Sequence, residues 1–429
     1  MCNAGSDIFS NCEKERCWRT VICTFVNSTS KLGGKFFNSS IFPLHFSFYF
    51  APALLFKLMI VRANFCVLLG ILLFGSVKGQ GIAPKYSNEF MHIGIGARGL
   101  GMAGAQVAAV RDVTSAYWNP AGLIGVGHKH EFALMHAEYF AGIAKFDYAA
   151  YTTNIQEDNQ IALSVIRFGV DDIPDTRFLY DANGALNYNN IQFFNAADYA
   201  LLLSYARDVS DNFKMGINTK IIHRNVGKFA KAWGFGLDFG AIYLLQDWRI
   251  GLMARDVTTT FNAWSHNAAL VREIYSQTQN EIPVNSIELT LPRATLGVAR
   301  QFEITTEINM LAALDLDFTF DGQRNSLYGS EIFNIDPKIG IELDYRKSAY
   351  LRLGAGNYQR LNNFDGSKYS SIQPGFGLGF KASEKVLIDY ALTDIGSISE
   401  TPYSHVFSIK VSLNPLDDDF RIYKGWENN

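Results

Sequence analysis

"AALDLDFTF", Ala312 to Phe320, alternates between two kinds of residue. Ala312, Leu314, Leu316, Phe318 and Phe320 leave one face, while Ala313, Asp315, Asp317 and Thr319 leave the other, as successive side chains of a strand must. A 3.6-residue period would mix the two sets around the axis, so this stretch is a strand. "IGIELDYR", Ile339 to Arg346, repeats the pattern, with Glu342, Asp344 and Arg346 set against Ile341, Leu343 and Tyr345. Asp389 alternates with Ile388 and Tyr390, and Gly375, Gly377 and Gly379 alternate with Phe376, Leu378 and Phe380. One face is apolar and aromatic, and the other is glycine or charge.

Such segments recur along the chain, at 130–140, 143–155, 159–169, 197–207, 212–224, 232–245, 248–256, 291–301, 308–320, 337–346, 349–358, 371–381, 385–394 and 404–414. Most exceed the five or six residues usual in soluble strands and are long enough to cross a bilayer at a tilt. Every second connection is short ("QEDN", "DVSDN", "QD", "TTE", "RKS", "SEK"), whereas 170–196, 257–290, 321–336 and 359–370 are long. Short turns on one rim and long loops on the other are the asymmetry of a transmembrane barrel, whose apolar face meets lipid and whose polar face lines the lumen. The fold class expected is all-β: a transmembrane antiparallel β-barrel of about 14 strands over 129–414, in the bacterial outer membrane.

The 429 residues are 18% charged and 14% aromatic, with a net charge of −3, so no basic field suggests nucleic acid. All five cysteines precede residue 67, leaving no thiolate for catalysis or zinc beyond it. From Met59, "MIVRANFCVLLGILLFGSVKGQ" reads as a signal peptide over 59–79: Arg62 is charged, Phe65 to Phe74 is apolar and too short to span, and Val77 and Gly79 are small. Residues 1–58 then read as an upstream mis-called start or extension. The rival reading makes Ile41 to Phe56 part of a long anchor.

"GIGARG", Gly94 to Gly99, has the spacing of a dinucleotide fingerprint but lacks a preceding buried strand and a βαβ unit. Its glycines are expected to allow close packing against the inner barrel wall. Downstream, Asp112 is a good N-cap for a short helix over Thr114 to Trp118, stopped near Asn119 and Pro120. Residues 80–128 form an expected N-terminal hatch, and 415–429 a periplasmic tail.

"SNEFMHIGIGARGLGMAGAQVAAVRDVTSAYWNPAGL", Ser87 to Leu123, resembles the N-terminal signature of the PorV/PorQ family of outer-membrane proteins. "RDVTTTFNAWS", Arg255 to Ser265, and "SIELTLPR", Ser286 to Arg293, are similar to that family too. The resemblance implies a FadL-like barrel of 14 strands with a hatch motif, here Asn119, Pro120, Ala121 and Gly122. It also implies work with the type IX secretion system, with translocon components or cargo bearing a C-terminal sorting signal as partners alongside outer-membrane lipid. The 415–429 extension departs from barrels that finish on a terminal aromatic.

Motifs for chemistry are sparse. "LDFG", Leu237 to Gly240, lies mid-strand without the other kinase elements. His128 and His130 lack a third metal ligand. His405 with Ser404 or Ser408 leaves a membrane-embedded hydrolase as a lesser alternative, in want of an orienting third group. No catalytic residue, metal or cofactor is called for.

Projecting the strands inward gathers Lys220, Arg224, Arg249, Arg255, Arg293, Arg346, Arg352 and Lys410 with Asp238, Asp315, Asp317, Glu342, Asp344 and Asp389. Mixed signs favour cross-strand pairing and a filled lumen over an ion-selective pore, and less apolar lining than a FadL-type tunnel. On the long 257–290 excursion, with a short helix expected over 265–277, Phe261, Trp264, Ile274 and Tyr275 are candidate anchors for a protein partner or packing for a lid. The sequence therefore points to a non-enzymatic barrel binding protein in type IX secretion, with a FadL-like channel for hydrophobic solutes such as long-chain fatty acids as the alternative.

Overall fold

The computed structural model describes residues 87–416, apart from 157, 182, 278–280, 282–283, 363–365 and 394–403. The expected leader, residues 1–58 and most of the C-terminal tail lie outside the described residues. So does the Ile274 side chain.

The strands are β1 (His128–Tyr139), β2 (Ala144–Gln156), β3 (Asn159–Asp175), β4 (Gln192–Ser210), β5 (Phe213–Val226) and β6 (Ala230–Leu245). Next come β7 in two runs (Trp248–Arg255 and Thr260–His266) and β8 in two runs (Ser286–Thr290 and Arg293–Thr305). The circuit continues with β9 (Ile308–Thr319), β10 (Asn334–Tyr345), β11 (Ala349–Asn362), β12 (Lys368–Ser383), β13 (Val386–Thr393) and β14 (Ser404–Pro415). A two-residue strand, Tyr328–Gly329, adds to the outer end of β10. Each strand pairs antiparallel with the next, and β14 pairs with β1 from His128↔Pro415 to Glu138↔His405, closing a 14-strand barrel.

Both interruptions have local causes. In β7, Asp256 and Thr259 adopt positive φ (56° and 58°), and the Asp256 carboxylate takes bonds from Lys220 and Thr260. In β8 the break falls at Leu291–Pro292, where proline supplies no N–H to the ladder. The upper run of β7 pairs with β6 and that of β8 with β7, so strand extends into both ends of 257–290. Between these runs sits one helix, α3 (Ala268–Gln277), within the expected 265–277.

The faces are inverted relative to a soluble barrel. Leu314 is 42% exposed while its neighbour Asp315 is 1% exposed. Leu134, Leu163, Leu203, Ile217, Leu353 and Ile409 all stand on the outer surface. Burying charge and exposing an apolar belt is the build of a bacterial outer-membrane barrel. Among the described residues no helix is long and apolar enough to cross a membrane.

One rim carries only turns of two or three residues, at 157–158, 211–212, 246–247, 306–307, 346–348 and 384–385. Among the described residues, the other carries the long 176–191 and 320–333, together with the brief 140–143 and 227–229. The strands β3 and β4 continue well into the expected 170–196 loop, shortening it.

Candidate functional site

Residues 87–126 lie against the inward faces of the barrel. They form two 3-10 turns (Glu89–His92 and Pro120–Gly125) and two short helices, α1 (Ala97–Gly101) and α2 (Ser115–Trp118). Asp112 Oδ1 accepts from the Thr114 backbone N–H at 2.9 Å, an Asx turn that starts α2 three residues before its first helical position. Asn119 ends α2 and starts the next turn, its Oδ1 accepting from Ala121 N at 3.2 Å with Pro120 in the first position. Its Nδ2 donates to Val107 O at 2.8 Å and to Ala241 O on β6 at 3.2 Å.

Of the GIGARG glycines, Gly94 and Gly99 pack on Trp118 of the segment itself rather than on the barrel wall. A Cβ at Gly99 would lie 2.8 Å from the Trp118 ring, and Gly94 adopts a φ of 96°. The wall is equally bare. A Cβ at Gly251 would sit 2.5 Å from Val107 O, at Gly216 2.6 Å from Ala121 N, and at Gly375 2.6 Å from Leu100 O. Backbone therefore meets backbone where β5, β7 and β12 pass the segment.

Ion pairs and polar bonds tie the segment to the wall elsewhere. Lys410 on β14 donates to Asp112 at 2.9 Å. Burial opposes charge on Asp112, but Lys410 and then Arg98 prevail and hold its carboxyl below the ordinary value. Arg98 grips Glu342 through two nitrogens at 2.8 and 2.9 Å, and Arg352 bridges Glu342 and Asp389 at 2.6 Å each. Asp315 Oδ2 accepts from the Gln106 and Val107 backbone N–H groups at 2.8 and 2.9 Å. Arg249 donates to Val110 O at 3.0 Å, and Arg255 to Tyr117 O at 2.9 Å.

Of the sequence-derived lumen charges, Asp315, Asp317, Glu342, Arg352 and Asp389 thus stand inside. Asp344 is half-buried near the short-turn rim, accepting from Asn309 Nδ2 at 3.3 Å. Arg346 does not join them. The strand ends at Tyr345, Arg346 takes a φ of 53° in the turn, and its exposed guanidinium pairs with Glu307 of the neighbouring turn.

The anchor residues also need correcting. Phe261 and Trp264 sit on the upper run of β7, not on a loop, and three residues apart they face opposite sides. Phe261 points outward, registered with Phe235 and Leu289. Trp264 turns inward under the Arg224 guanidinium, 5.1 Å from its ring centroid. Tyr275 lies on α3 beside a smaller cavity that His266 and Arg177 also line. They do not make one surface.

Periodicity also separates His405, on the outer face bonded to Tyr390 Oη at 2.7 Å, from inward-facing Ser404 and Ser408, so no Ser–His pair forms. His130 Nδ1 meets Tyr151 Oη at 2.8 Å, and among the described residues no group of three potential ligands gathers.

An apolar sector went unseen in the charge projection. Inward-facing Met135, Tyr139, Phe146, Tyr148, Ile166 and Leu202 on β1 to β4 pack with Phe90, Met91 and Ile95 of the segment. The lumen is therefore two-sided: apolar along these strands, ionic across from them. Its signal was present in "ALMHAEY" and "AKFDYAAY", where alanine and aromatics occupy the inward positions.

Towards the long-loop rim lies a cavity of about 760 Å³ over Trp118 and Tyr117. Arg293 pairs there with Glu89 at 2.7 Å, and Lys338 pairs with Asp317. Burial, then Arg293 and Arg255, holds the His92 imidazole well below its ordinary value and neutral.

No family model and no curated relative matches the chain. Among solved structures, it is similar to the Ralstonia pickettii toluene transporter TbuX, at 15% identity and a TM-score of 0.43, covering 74% of this chain and 98% of that one. The CymD monoaromatic hydrocarbon channel is similar at 13% identity and a TM-score of 0.45, covering 75% and 98%. A Pseudomonas aeruginosa FadL homologue is similar at 12% identity and a TM-score of 0.43, covering 73% and 97%. Likenesses this distant carry no activity across.

Proposed function

We propose that this chain is a gated outer-membrane conduit for small apolar molecules, with the N-terminal segment as its plug. The apolar sector inside β1 to β4 carries the reading. A path for apolar solutes needs such a wall, and the faces that seat Phe90, Met91 and Ile95 would line it once the segment moved aside. In the closed state Ile95, Phe90 and Met91 occupy that wall, so passage requires the segment to shift.

The test is uptake of labelled toluene and of labelled decanoate by cells lacking their own apolar-solute barrel. Wild-type chain should raise uptake several-fold over empty vector, and Phe168→Asp, at the half-buried edge of the sector, should abolish the gain at equal folded abundance. No gain from wild-type chain sinks the proposal.

A second reading, that the barrel holds type IX translocon components or sorting-signal cargo as PorV/PorQ proteins do, draws on a different observation. Phe178, Tyr180, Leu186 and Tyr188 are exposed on the 176–191 loop, on the rim that would face outward. Cross-linking from Tyr188 in native membranes to a protein partner would favour it.

A further inference from the structure

The cavity on the long-loop side is lined unlike the apolar wall beneath it. Arg255, Arg293, Arg324 and Lys338 line it with Glu89, Asp315, Asp317 and Asp336, so its formal charges cancel. Arg293 and Lys338 are held by Glu89 and Asp317, and Arg255 is committed to the Tyr117 carbonyl and ring. An ionic ligand would have to break one such pair to gain another.

Uncharged amides add to these charges. Gln323 and Asn325 come from the 320–333 loop, Asn357 and Gln359 from β11, and Gln373 from β12. The register of β11 slips between Gly356 and Gln359, and Asn357 takes a φ of 50°. That bulge lets both Asn357 and Gln359 reach the cavity. Gln359 Nε2 donates to Asn357 Oδ1 at 3.1 Å, and Asn357 Nδ2 donates to Gln373 Oε1 at 2.9 Å. Among the described residues this chain ends in a spare acceptor, Gln359 Oε1, and a spare donor, Gln373 Nε2. Trp118 and Tyr358 are the aromatic residues beside them in the lining, with Tyr117. The volume, 760 Å³, falls within the roughly 300–1,000 Å³ of small-molecule sites.

The geometry points to a binding site for an uncharged, hydroxyl-rich ligand: a saccharide, or the glycosyl head of an amphiphile. Hydroxyls both donate and accept, as carboxamides do, and the C–H face of a sugar ring suits an aromatic floor. A bare hydrocarbon would leave the amide ends unpaired, and a carboxylate would have to displace Glu89 from Arg293 or Asp317 from Lys338. The site stands apart from the transport reading, since binding here needs no passage through the plug.

The test is a saturation-transfer NMR titration of the protein, purified in an amine-oxide detergent so that no glycosidic detergent competes. The probes are maltotriose, octyl glucoside below its micelle concentration, and octanoate. Saturable binding of a glycosidic probe is expected, weakened at least tenfold by Asn357→Ala with Gln373→Ala, and without comparable binding of octanoate. Binding of octyl glucoside alone assigns a lipid head, and binding of both assigns a free saccharide. Gln323→Ala with Asn325→Ala, confined to a loop, serves the same purpose if the strand variants misfold. Absence of glycoside binding, octanoate binding at least as tight, or wild-type affinity in both double variants overturns the site. Because no uptake is measured, failure here and failure of the transport reading are read separately.

Discussion

At Gly251 a side chain of one carbon is already too large, since its Cβ would lie 2.5 Å from the Val107 carbonyl oxygen. Gly251→Val and Gly216→Val should each cost about 1–3 kcal/mol of segment docking, the range for overpacking a close contact. The check is single-channel conductance, which should rise while the barrel stays folded; unchanged conductance in both variants would mean the close approach does not hold the segment. Inward glycines such as Gly375 and Gly377 were legible in the sequence as one half of an alternation. Their purpose was not, because the backbone they admit lies some hundreds of residues away along the chain. Asp112 gives a pH prediction at the same scale. Its carboxyl is held below the ordinary value of 3.8, so its contribution is present above that pH and is lost as pH falls below it. Amide-exchange protection across 97–125, taken relative to the intrinsic exchange rate at each pH, should therefore fall below about pH 4. Asp112→Asn should exchange faster at neutral pH, with a flatter profile, and an identical profile would remove Asp112 from the clasp.

Strands were the elements most readable in advance, because two faces with different solvents impose period two on every one of them. Where readings failed, the period had ended or resumed unannounced. Arg346 was projected inward as if the strand continued past Tyr345, and Phe261 was placed on a loop because Asp256 to Thr259 interrupts β7. The apolar sector escaped notice because only charged inward residues were collected, while alanines and aromatics on β1 and β2 carry the other half of the lining. The N-terminal segment yields the prediction at this scale: deleting Asp112 to Leu123 removes the Lys410 partner and the Asn119 bonds together. Planar-bilayer conductance should rise and sensitivity to bulky antibiotics increase. If conductance stays at the wild-type level, the plug reading fails.

The whole barrel should run on gels with heat-modifiable mobility and fractionate with outer membranes, and a soluble product would contradict the inverted faces seen at Leu314 and Asp315. The segment reaches far around the wall: Met135 and Glu131 on β1, Asn218 on β5, Asp315 on β9, Glu342 on β10 and Lys410 on β14 all bond to it. Those anchors stand on both sides of the seam where β14 meets β1. Until that seam zips, the segment has only part of its seat, and without the segment the seam would close over buried carboxylates lacking their partners. The N-terminal residues thus act as a buckle that joins the first and last strands across their seam. Melting should follow suit: without Asp112 to Leu123 the barrel should still close but unfold at a lower temperature, and an unchanged melting temperature would mean the seam holds without its buckle.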